Sequence, residues 1–245
     1  MASIKKKEII DSIEYIYKNN LFNKLNKIYK SVPSGKCTGC GSCCMESVSI
    51  SLVEFLNIYN FLQDNKEIKN NSLAKVLDYY FLEYTKKSPC PFRDDKNMCM
   101  IYEVRPLNCR IFGHWTEKDY NKNLNNVTNK NKEYKDLIKS KYEFDISDEV
   151  VNYKINYCKS FIPDNDYLKK SERLNFSDQI MCLDSKILGS EIIDIEFKDR
   201  GIVEYFIESL LYENLAYDIK IKVSKDENIR NVCMNRMKGL FIDKN

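Results

Sequence analysis

The run Cys37-Thr-Gly-Cys40-Gly-Ser-Cys43-Cys44 places four thiols within eight residues, with Gly39 and Gly41 between them. Thiolates bind zinc and iron–sulfur clusters strongly, and glycine lets a backbone fold its N–H groups back toward sulfur. The spacing points to metal ligation. A second group follows in Cys90, bracketed by Pro89 and Pro91, and then Cys99 and Cys109. Seven clustered thiols exceed the four that one zinc or one four-iron cluster needs, so two centres are expected, or some thiols stand outside the ligand shell. Neighbouring side chains of an extended chain point to opposite sides, which argues that Cys43 and Cys44 serve different centres. Cys158 brings the candidate ligands to eight, enough for two tetrathiolate sites. Cys182 and Cys233 fall in apolar helical patterns and are expected as buried free thiols.

Overlapping CxxC units followed by isolated cysteines differ from the paired knuckles of zinc ribbons. CxxCxxC is instead the opening of a ferredoxin-type four-iron ligand run with a remote fourth ligand. A 4Fe–4S cluster is the first expectation and zinc the alternative. The CxxxCxxC order of radical S-adenosylmethionine enzymes is absent, because Ser47 stands where its third cysteine would be. Arg105 and Arg110 flank Cys109 and are read as offsetting thiolate charge, with capture of a substrate or cofactor carboxylate as the alternative. His114, the single histidine, is read as a packed, hydrogen-bonded imidazole beside the site, with metal ligation or proton transfer as alternatives. Asp94 and Asp95 suit a turn before Cys99. Tyr102 and Phe112 read as walls.

Taken in order, CxxCxxCC, Cys90-Pro-Phe, Cys99-Met-Ile-Tyr and Arg105-Pro-Leu-Asn-Cys109-Arg-Ile-Phe resemble the CxxCxxCC cysteine-cluster family over about residues 35–115. That family is described as zinc- or iron-chelating and includes flagellin lysine N-methylases. The resemblance implies a bound metal. Its methylase branch implies methyl transfer from S-adenosylmethionine to a protein lysine, with a cluster at or near the site. This chain is short for that branch, and its last third carries no recognisable methyl-transfer motif. Two functions are therefore expected: a metal or redox accessory module acting through a protein partner, or an iron–sulfur-dependent protein lysine N-methyltransferase.

These loops need helices to hold them. Residues 4–31 read as a helix broken near Asn19-Asn20, with Ile9, Ile13, Ile16, Tyr17, Leu21, Leu25 and Ile28 inward. Val48 and Ile50 suit a short extended piece. Ser51 and Glu54 form a capping-box pattern opening a helix to about Asp64, and another helix spans about Ser72 to Lys86. Residues 117–132, rich in Asn and Lys, read as a solvated loop. A helix begins near Gly201, Tyr217 to Val223 alternates like a strand, and Ser224 with Glu227 predicts a last helix through Leu240. The fold class is mostly α with a few short strands, helices surrounding a loop-borne cysteine core. The expected division is a metal-binding domain over 1–165 and a small α/β subdomain or lid over 166–245.

Over 245 residues, 43% are hydrophobic and 31% charged, which fits a globular chain with a packed core. A formal charge of +3 leaves no general basic field for nucleic acid, and thiolates would lower it. No stretch approaches the roughly 18 apolar residues of a membrane span. The lysine-rich start runs into Asp11 and Glu14 rather than an apolar signal core. Ten cysteines in a long chain fit metal better than the disulfide framework of small secreted domains, so a cytoplasmic protein is expected. There is no GxGxxG or Walker loop, hence no support for a Rossmann-type nucleotide fold.

Overall fold

The computed structural model describes the backbone of residues 3–196 and 198–244, and their side chains up to residue 239. The first two residues and the inward side chain expected at Leu240 lie outside the described residues.

Helix α1 (Lys6–Lys18) breaks into α2 (Leu21–Ser31) where Asn20 takes the left-handed conformation at φ 57°, which asparagine tolerates better than most residues. Ile9, Ile16, Leu21, Leu25 and Ile28 are buried as the spacing predicts, but Tyr17 is 61% exposed. Tyr17 lies in the last turn of α1, where its hydroxyl accepts a hydrogen bond from Asn60 at 2.9 Å.

Helix α3 (Leu52–Asp64) starts at the expected capping box, with the Ser51 amide donating to the Glu54 carboxylate at 3.1 Å. Helix α8 (Lys170–Leu188) adds a second cap. Its Asp184 accepts from the Leu52 and Val53 amides at 2.9 and 2.8 Å, satisfying first-turn donors that lack intrahelical partners. Helix α4 (Lys66–Leu82) follows and packs against three C-terminal helices, α9 (Ile202–Glu208), α10 (Glu213–Lys225) and α11 (Glu227–Lys244).

Two two-stranded antiparallel sheets tie distant segments together among the described residues. Strand β1 (Gly35–Lys36) pairs with β3 (Ile162–Pro163), and β2 (Ser49–Ile50) pairs with β4 (Arg200–Gly201). These pairings clamp the cysteine loop at both ends. The core is one contiguous apolar cluster running from Ile4 to Met234. At its centre Phe55 stacks on Tyr205 at 4.7 Å and meets Phe206 edge-on, and Phe206 touches Phe92 next to Cys90. A smaller cluster joins Tyr84, Ile138, Ile146, Val150 and Ile221.

Three sequence expectations are corrected. Residues 117–132 belong to a helix, α6 (Glu117–Tyr142), capped by Thr116, whose hydroxyl accepts from the Asp119 amide at 3.2 Å. The stretch from Tyr217 to Val223 is part of α10, with Ala216, Lys220 and Val223 on its buried face. The last helix is capped by Asp226 rather than Ser224, because Asp226 accepts from the Asn228 and Ile229 amides while Ser224 lies inside α10. Among the described residues, no helix is long and apolar enough to cross a membrane.

Candidate metal centre

The cysteine loop is shaped by its glycines. Gly39 and Gly41 take φ of +67° and +71°, a region that only glycine enters without cost. The first turn brings the Gly39 amide to 3.5 Å from Cys37 Sγ, the N–H···S contact that the glycine spacing predicts. The second closes a turn in which the Cys44 amide donates to the Gly41 carbonyl at 2.9 Å.

The other cysteines come from three separate supports. The Cys90 amide donates to the Cys44 carbonyl at 2.9 Å, docking the second block directly on the first. Arg93 and Cys99 pair as an antiparallel bridge, and Asp94 closes the intervening turn by accepting from the Lys96 and Met98 amides. Asp95 stays solvent-exposed in the same turn. Cys109 rides on the short helix α5 (Leu107–Ile111), whose first amide, Leu107, donates to buried Glu54 at 2.6 Å. Cys158 is set beside the loop by the β1–β3 pairing a few residues on.

Cys43 and Cys44 lie in a turn instead of extended chain, and their sulfurs are 3.9 Å apart. The expectation that they point apart is therefore wrong. Their separation is near the ~3.8 Å edge of a tetrahedron with metal–sulfur bonds of about 2.3 Å. Neighbourhood in sequence thus gives no reason to assign them to different centres.

Burial divides the thiols into an inner and an outer group. Burial pushes Cys90 up to about 12, with Cys99 and Cys43 adding to the shift. Cys109 is held far above an ordinary thiol by burial and by Cys90, Cys99 and Cys43. Cys99 is raised by burial, partly relieved by a hydrogen bond from the Ile101 backbone and then by Arg105 and Arg110. Cys43 is raised first by its contact with Cys44 and then by burial. Cys90, Cys99 and Cys109 each feel the Cys43 thiol, while Cys43 feels its outer neighbours Cys44 and Cys40. The exposed Cys40 differs: Ser42 Oγ, 3.4 Å away, lowers its thiol below the usual value.

A cavity of about 260 Å³ opens beside the inner group, lined by Cys37, Cys43, Cys109, Cys158, Arg105 and His114 among others. Arg110 is spent on the backbone, donating to the Arg105 and Glu103 carbonyls at 2.8 and 2.7 Å while lying over the Tyr29 ring. Arg105 lies over Tyr102 and keeps a buried Nε without a partner. His114 is 1% exposed, with Nε2 at 2.9 Å from the Pro33 carbonyl and Nδ1 buried and unpartnered. Each such orphan costs roughly 1–3 kcal/mol. Tyr102 and Phe112 line the cavity as expected.

Thiols and a bare imidazole nitrogen make a donor set that fits a thiophilic cation, with guanidinium charge nearby to offset the thiolates. Among the described residues, no three His, Cys, Asp or Glu side chains already stand in an arrangement that could hold a metal ion. The thiols are neighbours rather than a closed shell. Cys182 is exposed on α8, against expectation, because the buried face of that helix runs through Ile180 and Leu183. Cys233 is half-buried on α11 against the main core.

Several residues that build the site had no motif to mark them. Phe161 meets His114 edge-on at 4.7 Å and fills the space over Gly35 and Gly113, where an added Cβ would come within 2.3 Å of its ring. The two glycines were the available signal. Glu54 was read only as a helix cap, yet it also accepts from Tyr29 at 2.8 Å and from the helix that carries Cys109.

The arrangement defines a class of protein, a cysteine-rich loop domain held by a helical frame. Residues 36–138 match the model of the CxxCxxCC family, described as a "Putative zinc- or iron-chelating domain", over somewhat less than half the chain. No curated protein and no solved structure matches the chain.

Proposed function

We propose that the protein holds an iron–sulfur cluster on this constellation and serves as a metal or redox accessory module of the cytoplasm. The observation that carries the reading is the convergence of thiols from separate segments: the Cys43 and Cys44 sulfurs lie 3.9 Å apart, the Cys90 amide docks on the Cys44 carbonyl, and Cys37, Cys43, Cys109 and Cys158 line one cavity. A bound cation would make the thiolate the favoured form even where burial holds the thiol protonated, as at Cys90 and Cys109. The CxxCxxC order from Cys37 to Cys43 and the Gly39 N–H···S contact favour iron–sulfur over zinc. The described cysteines are all free, as a reducing compartment keeps them. Because the thiols are neighbours rather than a closed shell, metal uptake is coupled to drawing them together.

Methyl transfer is the second reading, and one feature favours it. The cavity beside Cys109 presents the unpartnered Arg105 Nε, a donor suited to the carboxylate of S-adenosylmethionine. Arg105 would bind and orient that carboxylate while the thiols hold the metal.

Anaerobic purification with counts of iron, sulfide and zinc tests both readings. The expected result is a brown protein with iron and sulfide in equal amounts, lost on Cys109→Ser. A colourless protein containing only zinc would overturn the iron–sulfur assignment. A cluster spectrum that shifts on adding S-adenosylmethionine would favour methyl transfer, and an unchanged one the accessory role.

A further inference from the structure

His114 is bound at one nitrogen and bare at the other. Its Nε2 lies 2.9 Å from the Pro33 carbonyl, and a carbonyl can only accept. Nε2 must therefore carry the ring proton. A second proton on Nδ1 would be buried with no acceptor, so the ring is neutral and Nδ1 presents a lone pair. That lone pair is buried, has no donor, and belongs to a ring lining the cavity shared by Cys37, Cys43, Cys109 and Cys158.

We propose that His114 is a ligand of the metal centre through Nδ1, joining thiolates of the same cavity in a mixed sulfur–nitrogen set. The inference rests on the reading that the constellation binds metal, and goes beyond it by adding a ligand outside the cysteine pattern.

Two features support it. Histidines that ligate metals regularly donate their other ring N–H to a carbonyl or carboxylate, which sets the tautomer and aims the free nitrogen. Pro33 provides that carbonyl. The ring is also held in place: Phe161 packs edge-on against it and is itself wedged over Gly35 and Gly113, leaving little room for either ring to swing. Arg105 Nε–H, unpartnered in the same cavity, is suited to donate to a metal-bound sulfur.

The probe is Co(II), added to the full-length protein after its native metal is removed. In the wild type, an exchangeable and strongly paramagnetically shifted proton resonance should appear from Nε2–H, protected by its bond to Pro33. His114→Ala should bind Co(II) at least about 100-fold more weakly, beyond the 10–100-fold typical of residues that merely support a ligand. His114→Cys should restore binding with a visible spectrum moved toward all-sulfur coordination. The idea is overturned if the wild type binds Co(II) without the shifted proton, or if all three proteins bind equally with identical spectra, which would leave His114 a packing residue. Failure of the wild type to bind Co(II), iron or zinc would sink the metal reading and this one with it. The proton measurement uses no variant, so a folding defect in His114→Ala leaves the test intact.

Discussion

At the scale of single residues, the loop depends on two glycines that no other residue can replace cheaply. Gly41 combines φ +71° with a space in which an added Cβ would lie 3.0 Å from the Arg93 guanidinium. Gly41→Ala should cost about 1–2 kcal/mol for the left-handed backbone and lower the metal bound per chain. Gly239→Ala is the natural comparison. Its Cβ would meet nothing within 4 Å on α11, so it should leave metal unchanged and stabilise the helix by roughly 0.5–1 kcal/mol. Denaturant unfolding and metal counts on both variants check the pair, and equal effects would show that the loop tolerates a side chain. This much was readable from the sequence, because a glycine between cysteines announces a backbone requirement. His114 was readable only in part. Its packing and hydrogen bond could be expected beside the motif, but the choice of nitrogen depends on Pro33, which only the folded chain brings near.

At the scale of elements, the frame is fixed by carboxylates at helix starts. Asp184 on α8 caps α3, and burial pushes its carboxyl from 3.8 up to about 6, with Glu54 contributing. Below pH 4 the group is protonated in both states and its contribution is fully present. As pH rises toward 6 the unfolded chain ionises while the folded one holds its proton, so stability falls, by up to about 3 kcal/mol. Asp184→Asn should flatten that fall between pH 4 and 7, measured by urea unfolding at matched metal loading. An undiminished slope in the variant would place its origin elsewhere, for instance in Glu54, which is also raised by burial. Helices with a local signature, such as α3 with Ser51 and Glu54, were legible. Helix α6 was not, because only Tyr120 and Ile138 of its 26 residues are buried, and its anchors are distant: Arg173 pairs with Asp119 at 2.8 Å, and Tyr120 donates to the Ile155 carbonyl. Its one local cue was the cap at Thr116. In α10 the alternation misleads because Lys220 holds one of its polar positions. It is buried, its ammonium lying over Tyr80 and Tyr84 and paired with Glu83, so the apolar period is helical once that lysine counts as inward.

At the scale of the whole molecule, the open question is whether metal stabilises a local lobe or the entire chain. The cysteine hairpin enters the main core through Phe92, which touches Phe206 on α9, while Phe55 on α3 stacks against Tyr205. Strand β2, just after the cysteine loop, pairs with β4 just before α9. The cluster containing these side chains extends from the N-terminal helices to α11 without a break. A chain joined this way should unfold with the loop and the C-terminal helices as one unit. A metal present at 100 times its dissociation constant adds about 2.7 kcal/mol to the folded state. For a chain of this size that corresponds to a rise in Tm of roughly 5–10 °C. Removing metal with a chelator should therefore lower a single calorimetric transition by that amount, with helix loss and aromatic exposure coinciding. If residues 166–245 instead form a separate subdomain, two transitions should appear, and the one reporting α9 to α11 should stay at its original temperature when metal is withdrawn. The continuity through Phe92, Phe206 and Tyr205 favours the single transition, and Phe206→Ala should split it by cutting that connection.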